Sequence, residues 1–299
     1  MGKKDIAEKL LAAYNDVFAD IVNVLLFNGK RLIQEDDLET ESARNTYKFA
    51  SDIHEQERDV AKFWKNNHVR IALYGLENQT KPDDDMPLRI LSYDGASYRG
   101  QLIPPKKKGK PLPEETGEKQ PRYPVVTLVL YFGEDHWTQP RSLLERLSVP
   151  EELKPYVSDY RINVFEIAWL SDEQVQMFQS DFKFVADYFV QVRKNKDYIP
   201  SKETITHVHE VLQLMAALTN DRRFEEIQNE TEKGERQTMC EILDRVEARG
   251  EARGIRLGEA RGEARGEAKA SARYESEIAR LKEELAKYQK AESQQQIQS

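Results

Sequence analysis

The 299-residue sequence predicts an α/β domain, a helical region after it, and a coiled-coil-like tail. Three observations predict this order. Short runs of strand formers, Val69 to Leu76 (VRIALYGL) and Val125 to Phe132 (VVTLVLYF), alternate with segments of helical periodicity. Residues 172–232 carry apolar positions at helical spacing, among them Phe182, Val185, Phe189, Val211, Leu212 and Met215. From about Glu247 the composition changes to a charged repeat with a glycine at every fourth position.

Taken in order, Ile6 to about Phe27 reads as a helix, because Leu10, Leu11, Tyr14, Phe18, Ile21, Val22, Leu25 and Leu26 recur three and four apart. Asn28-Gly29 supplies its C-terminal stop. Residues 35–50 read as a loop leading into a second short helix. Arg58 to Trp64, the turn Lys65-Asn66-Asn67-His68 and Val69 to Leu76 together predict a hairpin. Residues 86–100 read as a helix, and 101–124 (with PPKKKGKPLPEETGEKQP) as an exposed insert. Val125 to Phe132 is the strongest strand, and Ile162 to Trp169 (INVFEIAW) is another. The expected domains are 1–195, a helical region at 196–246 and a tail at 247–299.

In the tail, Gly250, Gly254, Gly258, Gly262 and Gly266 make a poor autonomous helix, since each glycine costs about 1 kcal/mol relative to alanine. Beyond it, Tyr274, Ile278, Leu281, Leu285 and Tyr288 alternate spacings of four and three, a coiled-coil seam that suggests a homodimer. The competing reading is a low-complexity tract without a defined fold, and the final SQQQIQS is expected to be disordered.

With 39% hydrophobic and 33% charged residues the chain is polar for a globular protein, although 11 Phe, 13 Tyr and 3 Trp supply a core. The net charge of -8 argues mildly against a nucleic-acid partner, but phosphate contacts need only a local basic face. The single cysteine, Cys240, excludes an intrachain disulfide and fits a reducing, cytoplasmic setting. Met1 to Leu10 is charged, so no signal peptide is expected, and no apolar run is long enough for a membrane span.

Asp59, Glu77 and Gln79 form the sharpest chemical pattern. An acid sits on one predicted strand, and eighteen positions later a second acid ends the next, with a polar residue two places on. Alternation puts Glu77 and Gln79 on one face, and a hairpin can bring Asp59 to them. Two such carboxylates suit Mg²⁺, a hard cation that takes oxygen ligands. Spacing alone equally fits a turn cap and two solvated residues.

The blocks FADIVNVLLFNGKRLI, ERDV, LYGLENQT, MPLRILSYDGASY, PVVTLVLYFGEDHW with PRSL, and PEELKPYVSDYRINVFEIAWL resemble, in order, those of the recombination-promoting nuclease (Rpn) and transposase family. That family belongs to the PD-(D/E)XK nuclease superfamily. The resemblance covers roughly residues 14–190 and implies a four-stranded mixed sheet flanked by helices. It also implies metal-dependent DNA cleavage that leaves 3′-hydroxyl and 5′-phosphate ends. On this resemblance Asp59 and Glu77 are catalytic metal ligands, and Gln79 stands where most of the superfamily has lysine. Gln79 can orient a water but supplies no charge. An acid on the first helix often completes such a site, and Asp20 is the match, with Asp16 as fallback. Asp20 could instead sit in a hydrogen-bond network or at the helix edge in water.

Arg89 and the basic run Lys106, Lys107 and Lys108 are candidate DNA-phosphate contacts. Arg89 could equally pair with Asp94, and lysine-rich loops are commonly just solvated. The histidines show no zinc-ligand arrangement. The expected function is a Mg²⁺-dependent DNA endonuclease. The alternative is a catalytically degenerate DNA-binding or protein-interaction protein on the same fold.

Overall fold

The computed structural model describes residues 11–40, 44–49, 52–57, 60–76, 83–102, 122–195, 197–219, 221–231 and 234–297. The chain divides into two units, Met1–Leu243 and Asp244–Ser299. The first contains α1 (Asn15–Phe27), β1 (Leu38–Thr40), β2 (Arg44–Phe49), β3 (Asp52–Glu57), β4 (Val60–Trp64), β5 (Val69–Leu76), α2 (Met86–Gly100), β6 (Val125–Tyr131), the single turn α3 (Leu143–Arg146) and β7 (Asn163–Glu166). It continues with α4 (Asp172–Met177), α5 (Phe182–Asn195), β8 (Thr204–Ile205), α6 (Val208–Thr219), α7 (Arg222–Glu230) and β9 (Gln237–Thr238). Helix α8 (Met239–Ile297) begins in the first unit and forms the second. Among the described residues no helix is long and apolar enough to cross a membrane.

The central sheet has five strands in the order β1-β4-β5-β6-β7. Its β1–β4 and β4–β5 pairs are antiparallel, whereas β5–β6 and β6–β7 are parallel. The sheet is therefore mixed, as the resemblance implies, with one strand more than the four expected. The hairpin expected over residues 58–76 is present as β4 and β5. Its turn is a 3-10 segment at Lys65–Asn67 closed by His68, which takes the left-handed conformation at φ 49.

Register explains the layering. Residues paired across neighbouring strands share a face, so Lys62, Ile71 and Val126 align on one side and Phe63, Arg70 and Val125 on the other. The second face meets α2: Arg70 donates to Ser97 at 2.9 Å, and Val129 packs with Met86, Ile90 and Ile162. The first face lies under α1, where the Lys62 ammonium sits over the Phe18 ring. Just beyond the sheet, Phe132 meets Phe182 and Phe189 of α5. Thus β6 is covered on both faces, which is why VVTLVLY reads as a nearly unbroken apolar run.

Helix α1 is buried from Val17 to Val24, including two polar residues, Asp20 and Asn23. Asn23 behaves like a strand partner: its Oδ1 accepts from the Leu32 and Ile33 N–H groups, and its Nδ2 donates to the Ile33 carbonyl at 2.8 Å. The predicted Asn28-Gly29 stop is observed, with both residues at positive φ. A Cβ at Gly29 would also crowd the Met177 sulfur at 3.0 Å.

Two expectations need correction. Residues 35–50 contain no α-helix among the described residues: a 3-10 turn at Glu35–Asp37 leads to β1, and β2 then pairs with β3 as a separate hairpin. The composition of β2 and β3 is mostly polar, which leaves no apolar alternation to read. The strand expected over 162–169 stops at Glu166, and Ile167–Trp169 turns as a 3-10 segment. The glycine tract, whose order the sequence left open, is helical within the 59 residues of α8. Residues 103–121, most of the predicted insert, lie outside the described residues.

Lys62 is 1% exposed beneath α1. Its ammonium donates to the Ala13 carbonyl at 2.6 Å, to the Asn15 side chain and to the Thr40 hydroxyl, all uncharged acceptors. Burial pushes its pKa down, with Asp16 opposing in part. The protonated form is therefore disfavoured by folding, so the unfolded chain holds the proton to higher pH and stability rises with pH between the two pKa values. Denaturant unfolding from neutral pH towards the ordinary lysine range should show this rise in the wild type and not in Lys62→Met. Parallel pH profiles for the two proteins would contradict it.

Candidate functional site

The strand directions define one chemically rich end of the sheet. Because β4 runs against β5, and β5, β6 and β7 run together, the start of β4 and the ends of the three parallel strands share that end. There Leu76 lies beside Tyr131, and Tyr131 beside Glu166. The crevice beyond the carboxyl ends of parallel strands is where open α/β sheets bind ligands.

Glu166 closes β7, and its carboxylate accepts from His136 Nδ1 at 2.7 Å, the Trp137 backbone N–H at 3.3 Å and the Arg141 guanidinium. Burial pushes the Glu166 carboxyl up, but these hydrogen bonds and the Arg141 charge outweigh it and hold it below the ordinary range. The His136 ring stacks on Trp169 at 3.5 Å, and Arg193 lies 4.0 Å from the same indole. The Trp169 N–H is anchored on the Glu134 carbonyl. Tyr131 packs edge-on against Trp137, and its hydroxyl lies so close to Gly133 that a Cβ there would meet it at 2.0 Å. Sequence reasoning passed over Glu166, His136 and Arg141. The available signal was positional: polar residues just past the ends of predicted parallel strands.

A second polar feature is a cavity of about 320 Å³ lined by Asp16, Asp20, Asn23, Arg31, Glu35 and Ser180 among others. Asp20 is 2% exposed. Its Oδ1 accepts from Arg31 at 2.6 Å, and its Oδ2 accepts the backbone N–H groups of Gln179 at 2.9 Å and Ser180 at 2.7 Å. Arg31 also donates to the Met177 carbonyl. The carboxylate thus ties α1 to the loop between α4 and α5. Both its oxygens already hold hydrogen bonds and the Arg31 charge balances the carboxylate, so a cation there would compete with Arg31. Asp16, the fallback, is exposed at the cavity rim.

The remaining candidates fall apart spatially or lie beyond description. Asp59, Glu77 and Gln79 are outside the described residues, as are Lys106, Lys107 and Lys108. Among the described residues no three His, Cys, Asp or Glu side chains form a group suited to a metal. Arg89 pairs with Asp83 at 2.5 Å. Asp94 is buried and accepts from Thr127 at 2.6 Å and from the Tyr160 hydroxyl, tying α2 to the sheet. Asp181 is also buried and accepts from the Thr206 and His207 N–H groups and from His207 Nδ1, which anchors the start of α6.

Two outcomes follow from these contacts. Asp20→Asn keeps the size but weakens the Arg31 and N–H bonds, and should cost about 1–3 kcal/mol of unfolding free energy with or without added metal. Chemical denaturation reads this, and wild-type stability in the variant would contradict the anchoring role. Glu166 contributes stability above its unfolded pKa that is lost as pH falls through its depressed folded value. Acid unfolding of Glu166→Gln should therefore lack part of the wild-type loss below the ordinary carboxylate range.

No curated protein and no solved structure matches the chain. A family profile described as "Putative transposase, YhgA-like" matches residues 65–223. That span runs from the β4–β5 turn through the parallel strands into α7, more than half of the chain. The chain belongs to the family so described.

Proposed function

We propose that the protein is a metal-dependent DNA endonuclease that hydrolyses phosphodiester bonds, in recombination or in association with mobile elements. The observation that carries this reading is the common sheet end at which β4 begins and β5, β6 and β7 finish. Asp59 immediately precedes β4 in sequence, and Glu77 immediately follows β5. An antiparallel hairpin leading into parallel strands is the arrangement expected of a PD-(D/E)XK core. The family description supports an activity directed at DNA.

Asp59 and Glu77 would hold the cation, and two carboxylates beside a carboxamide suit Mg²⁺ or a similar hard ion. When bound, such an ion makes water more acidic and neutralises charge on the scissile phosphate. Gln79 would orient a water by hydrogen bonding without adding charge. Asp20 would join this set by exchanging Arg31 for the ion. Arg89 and Lys106, Lys107 and Lys108 would contact DNA phosphates, which compete with Asp83 for Arg89.

The second reading is a catalytically degenerate DNA-binding or protein-interaction protein on a nuclease fold. One observation favours it: the Asp20 carboxylate already has a structural role, bound to Arg31 and to the Gln179 and Ser180 N–H groups. Plasmid nicking with Mg²⁺ or with a chelator, by wild type and Glu77→Ala, separates the two. The nuclease reading expects Mg²⁺-dependent nicking that falls by roughly a hundredfold or more in the variant, the scale of removing a transition-state electrostatic group. Equal, metal-independent traces from both proteins would leave the second reading.

A further inference from the structure

We infer that the tail pairs with the same segment of a second copy as a short parallel coiled coil whose seam is Tyr274, Ile278, Leu281 and Leu285. The inference concerns the second unit alone and does not rest on the nuclease reading.

The seam is exposed in the single chain: each of these four side chains is more than half accessible, on a continuous helix. Their spacing of four, three and four places them at d, a, d and a of a heptad. A helix that exposes such a stripe leaves apolar surface in water, and a second copy offers the same stripe in return. Upstream in the same frame stand Ser271 and Glu267, so the seam starts at Tyr274.

Charge selects the occupant and its direction. Glu277 falls at g and Lys282 at the following e, the two positions that meet across a parallel pair. Two-fold symmetry makes that contact twice. Other tail charges are already paired within the helix, Arg280 with Glu284 and Lys287 with Glu283. Among the described residues Glu277 and Lys282 take part in no such ion pair, so both remain available to a partner. An antiparallel pair would instead set Glu277 against Glu284, and this repulsion offsets the attraction it allows between Glu275 and Lys282.

Within the single chain the glycine tract packs against nothing, since a Cβ at Gly254, Gly258, Gly262 or Gly266 would meet no atom within 4 Å.

The test measures the mass of the full chain by sedimentation equilibrium across the micromolar range. Wild type should be a dimer and Leu281→Asp a monomer; a monomeric wild type overturns the inference. Glu277→Lys should weaken the dimer by about tenfold, on the scale of two exposed ion pairs lost and replaced by repulsion. Glu277→Lys combined with Lys282→Glu should restore it. In an antiparallel coil Glu277→Lys would tighten the dimer, and that outcome also overturns the inference. Orientation has an independent readout: Tyr274→Cys in a Cys240→Ser background should oxidise to a covalent dimer, because only the parallel arrangement brings position 274 beside its copy.

Discussion

A buried helix with polar side chains is the constraint on which the first unit depends. Helix α1 is enclosed on all sides for two turns, yet it carries Asp20 and Asn23. An unanswered buried carboxylate or amide costs several kcal/mol, comparable with the whole stability of a domain. Each of these side chains therefore dictates structure elsewhere. Asn23 fixes the segment at Leu32 and Ile33, and Asp20 fixes Arg31 and the Gln179-Ser180 loop. Lys62 extends the same logic to the sheet, because its buried ammonium needs the Ala13 carbonyl and Asn15 at the start of α1. The helix is thus located by specific polar contacts as well as by apolar burial.

The other sheet face is organised in the same way around α2. Asp94 is met by Thr127 from β6 and by Tyr160 from the approach to β7. Arg70 from β5 reaches Ser97 on the same helix. These bonds set which residues of α2 face the strands, and the apolar cluster of Met86, Ile90, Val129 and Ile162 fills the space between. With both faces closed, the sheet end beyond Tyr131 and Glu166 is where strand geometry leaves room for chemistry. Glu166 is gripped by three donors, and one face of the His136 ring stacks on Trp169.

The second unit obeys different rules. From Glu251 to Leu285 all its side chains are exposed. A lone helix can persist in this way when charges at spacing four pair along its surface, as Arg280 with Glu284 does. Residues that add nothing to such a helix, the apolar seam above all, invite explanation outside the single chain.

Much of the fold was legible in the sequence. The strands at Val69–Leu76 and Val125–Tyr131 were written in mostly apolar runs rich in strand formers, helix α2 in its spacing, and the end of α1 in Asn28-Gly29. These features are local, and local propensity and burial pattern suffice to declare them. The β2–β3 hairpin escaped because its polar composition carries no burial signal, and the turn at Ile167–Trp169 escaped because an apolar run does not announce where a strand ends. The sequence also nominated an acid on the first helix, but only tertiary structure supplied Arg31, Gln179 and Ser180 as the partners of Asp20. It was equally silent on Glu166, His136 and Arg141, which lie up to 30 positions apart and meet only because β6 and β7 run side by side. Sequence by itself determines which segments must be strand or helix and which must be buried. Which polar groups then face one another is decided by register and packing, since a hydrogen bond depends on distance in space and not on separation along the chain.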